Sequence, residues 1–254
     1  MLAKLPVELI LLICEYPESK ELKQLARTTK RMMGIIKKYL PTALEKEILF
    51  YRPDPPEWRY SASVAYFKCK LYYLGGWDPK TEEETNRVDV LIDGKWQTGP
   101  ALPLPFPIRS LQTITCDERL YVFDGWGWGS QKIYRLSNDE QEWIEIGELP
   151  EKLDLFGIAS LNGRIYITGG LETYHGSYGD VFNSCLCFDP SAPVDSRISE
   201  IADMNYARMD HSLIVANGKL YAIGGFQKRY KNFCNSIEEY DPQTNEWQEV
   251  GKII

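Results

Sequence analysis

The chain has 254 residues, 44% of them hydrophobic, enough for one large domain or for a small one joined to a medium one. A net charge of −7 and a pI near 5.1 argue against a general nucleic-acid binder, whose footprint is basic. The charge is also unevenly divided: residues 1–60 hold 11 Lys and Arg against 8 Asp and Glu, so 61–254 carries all of the acidity.

The first part reads as helical. Pro6 suits a first helical position, and Leu5, Leu9, Leu12, Ile13 and Tyr16 recur at helical spacing until Pro17 stops the run. Ser19 caps a second helix carrying Leu22, Leu25 and Ala26; a third runs from Thr29 through Met32, Met33, Ile35 and Ile36 towards Pro41. Thr42 and Glu45 form a capping box for a fourth, with Leu44, Ile48 and Tyr51 on one stripe. So small a body has more large apolar side chains than it can bury alone, and another surface must cover some of them. The run LPVELILLIC is too short to span a bilayer and lacks the layout of a secretory signal, which points to the cytosol or nucleus.

Residues 5–36 resemble an F-box without a gap, through Leu5-Pro6, Glu8-Leu9, Ile13, Tyr16, Leu22, Leu25, Ala26, Lys30 and Arg31. The family usually has Leu where this chain has Pro17 and Trp where it has Met32, a softer anchor. The resemblance implies a partner: the adaptor subunit of SCF-type cullin ubiquitin ligases, and through it a cullin. Leu5, Pro6, Leu9, Ile13, Leu22, Leu25 and Met32 would make the apolar contact. Residues 1–51 are therefore assigned to an F-box-like all-α domain, and 52–58, around RPDPPE, to a linker.

The remainder is a fourfold repeat. KLYYLGGW (70–77), RLYVFDGW (119–126), RIYITGGL (164–171) and KLYAIGGF (219–226) align on Gly76, Gly125, Gly170 and Gly225, at spacings of 49, 45 and 55 residues. Upstream of each lies a second apolar run and a tight connection; Asn162-Gly163 and Asn217-Gly218 are the strongest hairpin signals. Arg59, Arg109 and Arg208 stand 17, 16 and 17 residues before their glycines. A third run follows each glycine, and Trp96, Trp143 and Trp247 open a fourth; the third copy has Arg197-Ile198 there. Four strands per unit and a period near 50 predict a β-propeller.

The repeats resemble the kelch family across about 59–254, with blades near 59–103, 104–152, 153–207 and 208–254. The fold class is therefore mainly β, a kelch-type propeller preceded by a small all-α domain. Kelch propellers usually have five to seven blades. Four here suggest a small closed ring, with an open array or a shortened relative as alternatives.

No residue pattern for chemistry emerges. VFDGWGWGS (122–130) looks like a phosphate loop, but no helix or lysine follows it. There is no HExxH, nucleophile elbow or ligand-spaced cluster, so neither metal nor cofactor is expected. The six cysteines are scattered and read as small buried hydrophobes. His211 reads as a hydrogen-bonding packing residue at a strand start, and His175 as a loop residue. Three arginines at one register position imply a structural tie between blades first; in the kelch family such arginines also meet acidic partners.

The loops after the glycines differ in every blade, as binding loops do on a constant scaffold. Target contacts are expected from Arg109, Arg208, Trp128, Tyr174, His175, Arg229 and Tyr230. The resulting reading is a non-enzymatic substrate receptor: the helices hold a ligase adaptor and the propeller holds an unknown protein, with no nucleic acid or membrane involved. A kelch-type scaffold or carbohydrate-active enzyme without ligase role is the alternative.

Overall fold

A computed structural model describes residues 54–104, 111–124, 131–174, 177–228 and 231–253. The chain divides into two compact units, Met1–Pro53 and Asp54–Ile254. The F-box-like segment, and with it the expected all-α domain, lies outside the described residues.

The second unit is a row of four antiparallel blades. Blade 1 consists of β1 (Ser63–Phe67), β2 (Lys70–Leu74), a short ribbon of β3 (Trp77–Asp78) and β4 (Glu83–Glu84), then β5 (Val88–Ile92) and β6 (Lys95–Thr98). Blade 2 holds β7 (Gln112–Cys116), β8 (Arg119–Phe123), β9 (Lys132–Leu136) and β10 (Trp143–Glu148). Blade 3 is built on two long strands, β13 (Arg164–Tyr174) and β14 (Ser177–Phe188). They are flanked by β11 (Leu153–Asp154), β12 (Gly157–Leu161) and β15 (Ile198–Ile201). Blade 4 comprises β16 (Ser212–Ala216), β17 (Lys219–Ile223), a ribbon of β18 (Phe226–Lys228) and β19 (Lys231–Phe233), then β20 (Ser236–Asp241) and β21 (Glu246–Lys252).

The first hairpin of every blade turns through two residues of positive φ. Asn162-Gly163 and Asn217-Gly218 do so as the sequence predicts, at 53° and 75° and at 52° and 74°. In blades 1 and 2 the same geometry falls on Lys68-Cys69 and Asp117-Glu118, which lack glycine and are strained by comparison. The register is the same in all four, with Phe67↔Lys70, Cys116↔Arg119, Leu161↔Arg164 and Ala216↔Lys219 closing the turns. Tertiary pairing therefore imposes the turn where local chemistry does not ask for it.

Alternation along the strands sends side chains to the two faces of each blade, and three cores fill the gaps between neighbours. Ala65, Phe67, Tyr72, Leu74, Val88 and Val90 of blade 1 meet Leu120, Val122, Tyr134 and Trp143 of blade 2. Tyr121, Phe123 and Ile133 meet Ile165, Ile167 and Phe188 in the second core. Ala159, Tyr166 and Cys185 meet Leu213, Leu220, Tyr240 and Trp247 in the third. Cys116, Cys185, Cys187 and Cys234 are buried and unbridged, and Cys69 is exposed. Among the described residues no core joins blade 4 to blade 1 and no closed sheet is found.

The last-strand tryptophans lock successive blades. Trp143 Nε1 donates to Pro100 O at 2.9 Å, and Trp247 Nε1 donates to Ala202 O at 2.9 Å. Blade 3, which lacks the tryptophan, uses Arg197 instead: its Nη1 donates to Ile146 O at 2.7 Å, while Ile198 packs into the core. A different residue thus supplies the same N–H to the preceding blade.

Candidate functional site

The topology gathers the variable segments at one end. The second strand of each blade runs back to the end where its first strand began, so the loops after the glycines and the connections between blades share that end. It includes the β3–β4 ribbon, the β13–β14 hairpin and the β18–β19 ribbon.

Buried arginines hold the bases of two of these loops. Arg59, which enters blade 1, donates to Tyr73 O at 3.1 Å before the loop and to Arg87 O at 3.0 Å after it. Its Nη2 also reaches Asp89 Oδ2 at 2.8 Å, and its guanidinium lies 4.3 Å from the Tyr73 ring centroid. Arg208 repeats the pattern in blade 4, donating to Gly224 O at 2.9 Å and Ser236 O at 3.2 Å, and to Glu238 Oε1 at 2.6 Å. Each clamp brackets one loop, fixing where it leaves the sheet and where it returns. Charge-assisted bonds of this kind are stronger than neutral ones and hold two carbonyls at a fixed separation.

This corrects the expectation for Arg208, which has no side-chain surface to offer a target: it is 0% exposed. It also refines the expected tie between blades. The guanidinium stays within its own blade, while the Arg208 backbone makes the crossing, accepting from Gly170 N at 2.9 Å and donating to Phe182 O at 3.0 Å. The acidic partners Asp89 and Glu238 went unnoticed in the sequence, although both stand 13 residues after the second glycine of their repeats. A search for paired charges at fixed register would have found them. Tyr134 and Leu186 hold the matching register in blades 2 and 3, so the clamp carboxylate belongs to the outer two.

Blade 3 places Asp154 where blades 1 and 4 have Tyr60 and Met209, each packed by its backbone against the second glycine of the repeat. Burial pushes the Asp154 carboxyl up to about 7, helped by the Asp210 charge, although the Leu155 N–H opposes this. His211, 8% exposed, shares a 2.8 Å hydrogen bond between Nε2 and Thr168 Oγ1. Burial drives the imidazole down to about 3, with the Arg208 charge adding to the effect, so it is neutral. His211 is thus a packing residue, as its strand position predicts.

Above these bases the loop end is electrically divided. The blade 1 ribbon region carries Asp78, Glu82, Glu83 and Glu84, and Trp77 stacks on the exposed Tyr60 with centroids 5.6 Å apart. The blade 4 ribbon pairs Lys228 with Lys231 and sets Phe226 edge-on to Phe233 at 5.9 Å. Tyr174 ends β13 opposite Ser177, at the tip of the blade 3 hairpin. Arg109, Trp128, His175, Arg229 and Tyr230 lie outside the described residues, as do Leu5, Pro6, Leu9, Ile13, Leu22, Leu25 and Met32.

A cleft of about 370 Å³ opens between blades 1 and 2, lined by Lys70, Tyr72, Gln97 and Glu140 among others. Glu140 fills much of its polar demand, accepting from Lys70 Nζ at 2.5 Å, Tyr72 Oη at 2.7 Å and Lys68 Nζ at 3.3 Å. Among the described residues no three His, Cys, Asp or Glu side chains cluster closely enough to hold a metal ion. The geometry is that of a repeat scaffold displaying loops.

Comparison gives the class its name. The Kelch motif matches residues 207–252, which is blade 4. The chain is 26% identical over 225 residues to Kelch-like protein 23 of Pongo abelii, covering 81% of this chain and 37% of that protein. It is 32% identical over 214 residues to Alpha-scruin of Limulus polyphemus, covering 76% of this chain and 23% of that protein. The solved structure of YjhT superposes with a TM-score of 0.65 at 18% identity, covering 80% of this chain and 68% of that one. The chain is a kelch-repeat protein, with a mainly β, propeller-like fold. It spans well under half the length of the curated relatives it matches.

Proposed function

We propose that the chain is the substrate-recognition subunit of an SCF-type cullin E3 ubiquitin ligase, with no catalytic residue of its own. The observation that carries this reading is a pairing within one chain. An F-box-like segment, 5–36, is joined through 52–58 to a kelch array whose loops differ from blade to blade above repeated arginine clamps. Rigid bases under variable loops suit the capture of a protein, because little loop entropy is then lost on binding. The mechanism is geometric: the anchor and the array hold a target at a set distance from the ligase's active end. Such a complex would work in the cytosol or nucleus. Human Kelch repeat and BTB domain-containing protein 13, 30% identical over 126 residues, couples its kelch repeats to a BTB domain, as its name states. Here the F-box-like segment would take the corresponding place.

The test is a pull-down of purified ligase adaptor by the full chain and by a Leu5→Ala/Pro6→Ala variant. Capture by the parent and its loss in the variant are expected. No capture by the parent overturns the ligase assignment and leaves a protein-binding scaffold.

A further inference from the structure

The second strand of every blade opens on a cation followed two residues later by a tyrosine: Lys70 and Tyr72, Arg119 and Tyr121, Arg164 and Tyr166, Lys219 and Tyr221. Alternation puts the two side chains on one face, at the end of the blade opposite the variable loops. In three blades a carboxylate meets the cation. Lys70 Nζ and Tyr72 Oη reach Glu140 at 2.5 and 2.7 Å. Lys219 Nζ and Tyr221 Oη reach Glu239 at 2.6 Å each, and Arg164 Nε reaches Asp189 Oδ2 at 3.2 Å.

Blade 2 breaks the pattern. Glu239 stands across from Tyr221 on the neighbouring strand, but the residue across from Tyr121 is Arg135. A guanidinium thus takes the place of the carboxylate, on the same face as Arg119, and like charges so placed on a sheet repel. Burial pushes the Tyr121 hydroxyl up while the Arg119 and Arg135 charges oppose this, so both guanidiniums lie within electrostatic reach of it.

Among the described residues no side chain answers these charges. Arg135 Nε is buried without a hydrogen-bond partner, and neither guanidinium forms an ion pair. The blade 3 turn that corresponds to that of Glu140, 189–197, commits Asp189 to Arg164 and Ser191 and leaves Asp195 exposed. Asp117, in the first turn of blade 2, lies against Gly163 of blade 3. Both arginines are only half-buried, so a group from outside can reach them.

We propose that Arg119, Tyr121 and Arg135 form a seat for a carboxylate of a bound protein, whose acidic side chain takes the place that Glu239 fills in blade 4. Guanidinium forks match a carboxylate in shape as well as charge. An acidic segment fits better than a free acid, because the other blades fill the same seat with Asp and Glu side chains. The seat lies at the end away from the variable loops, so it is separate from the surface proposed for the target and does not depend on the ligase assignment.

The experiment is calorimetric titration of the full chain with an acetylated, amidated tetraglutamate peptide. Tetraglutamine, sodium acetate and inorganic phosphate at matched ionic strength are the comparison probes. Saturable binding of tetraglutamate alone is expected. Arg119→Gln and Arg135→Gln are each expected to weaken it at least tenfold with unchanged circular dichroism. Lys95→Gln, which removes an exposed charge elsewhere, is expected to leave it unchanged. No binding by the parent, equal binding of acetate or phosphate, the same affinity in both arginine variants, or an equal loss in Lys95→Gln overturns the proposal. Should a glutamine variant unfold, Arg135→Glu tests the seat independently, because it restores the arrangement of blade 4. It is expected to raise the melting temperature of the free chain and to abolish peptide binding; a melting temperature at or below the parent's, or retained binding, sinks the seat.

Discussion

Arg208 Nη2 donates to Glu238 Oε1 at 2.6 Å with both side chains wholly buried, and the same guanidinium holds the carbonyls of Gly224 and Ser236. A blade loop is thereby tied at its root by one residue 16 positions upstream of its start. Removing Glu238 alone leaves an uncompensated buried cation. Glu238→Leu is expected to cost about 3–5 kcal/mol. Arg208→Met/Glu238→Leu recovers part of this but not all, because the two carbonyls lose their donor. Thermal unfolding of the three chains measures the order.

His211 gives the protein an acid sensitivity of known sign. Its imidazole is held down to about 3 in the fold, chiefly by burial, against about 6.5 in the unfolded chain. Between these values the unfolded state binds the extra proton, so stability falls as pH drops from 6.5 towards 3. His211→Asn is expected to flatten that part of the stability profile. An unchanged slope in denaturant titrations across the range counts against a neutral buried histidine.

Asp154 works in the opposite direction. Its folded value, raised to about 7 by burial, exceeds the unfolded one, so the folded state binds the proton more tightly. The favourable contribution is present below the unfolded carboxylate range and is lost as pH rises through 7. Asp154→Asn keeps an acceptor for the Leu155 N–H, which now bonds Oδ1 at 2.8 Å, without the charge. The variant is expected to be more stable than the parent above pH 7 and equal to it near pH 4, read as the difference in unfolding midpoint.

Gly76 marks where the loop leaves blade 1. Its φ is +92°, and a Cβ there would sit 2.8 Å from Tyr60 O and 2.9 Å from the Ala62 Cβ. Gly76→Ala adds backbone strain to that overlap and is expected to cost about 2 kcal/mol or more. The change in melting temperature tests it. Gly94→Ala, at φ +75° with nothing within 4 Å, isolates the conformational part and is expected to cost less.

The amino-acid sequence by itself determined the strands, their number per blade and the kelch type. These rest on local periodicity: alternating apolar residues, Asn-Gly turns and the Leu-Tyr and glycine positions that recur near every fiftieth residue. It also placed His211 as packing, because it stands at the start of a strand whose apolar run follows in Leu213, Ile214 and Val215. It misjudged Arg208, since a repeated arginine looks alike whether it meets a partner or a buried carboxylate. Only the antiparallel pairing of β17 and β20, which sets Glu238 across from Ala222, brings that carboxylate beneath the loop. Nor could periodicity decide closure. Whether four blades form a ring depends on the angle between successive blades, which the three packed cores set together and no single stretch encodes. The same holds for Arg197, whose bond to Ile146 O replaces a tryptophan's. Local sequence registered only a missing aromatic, and the packed interface supplied the N–H donor from another residue.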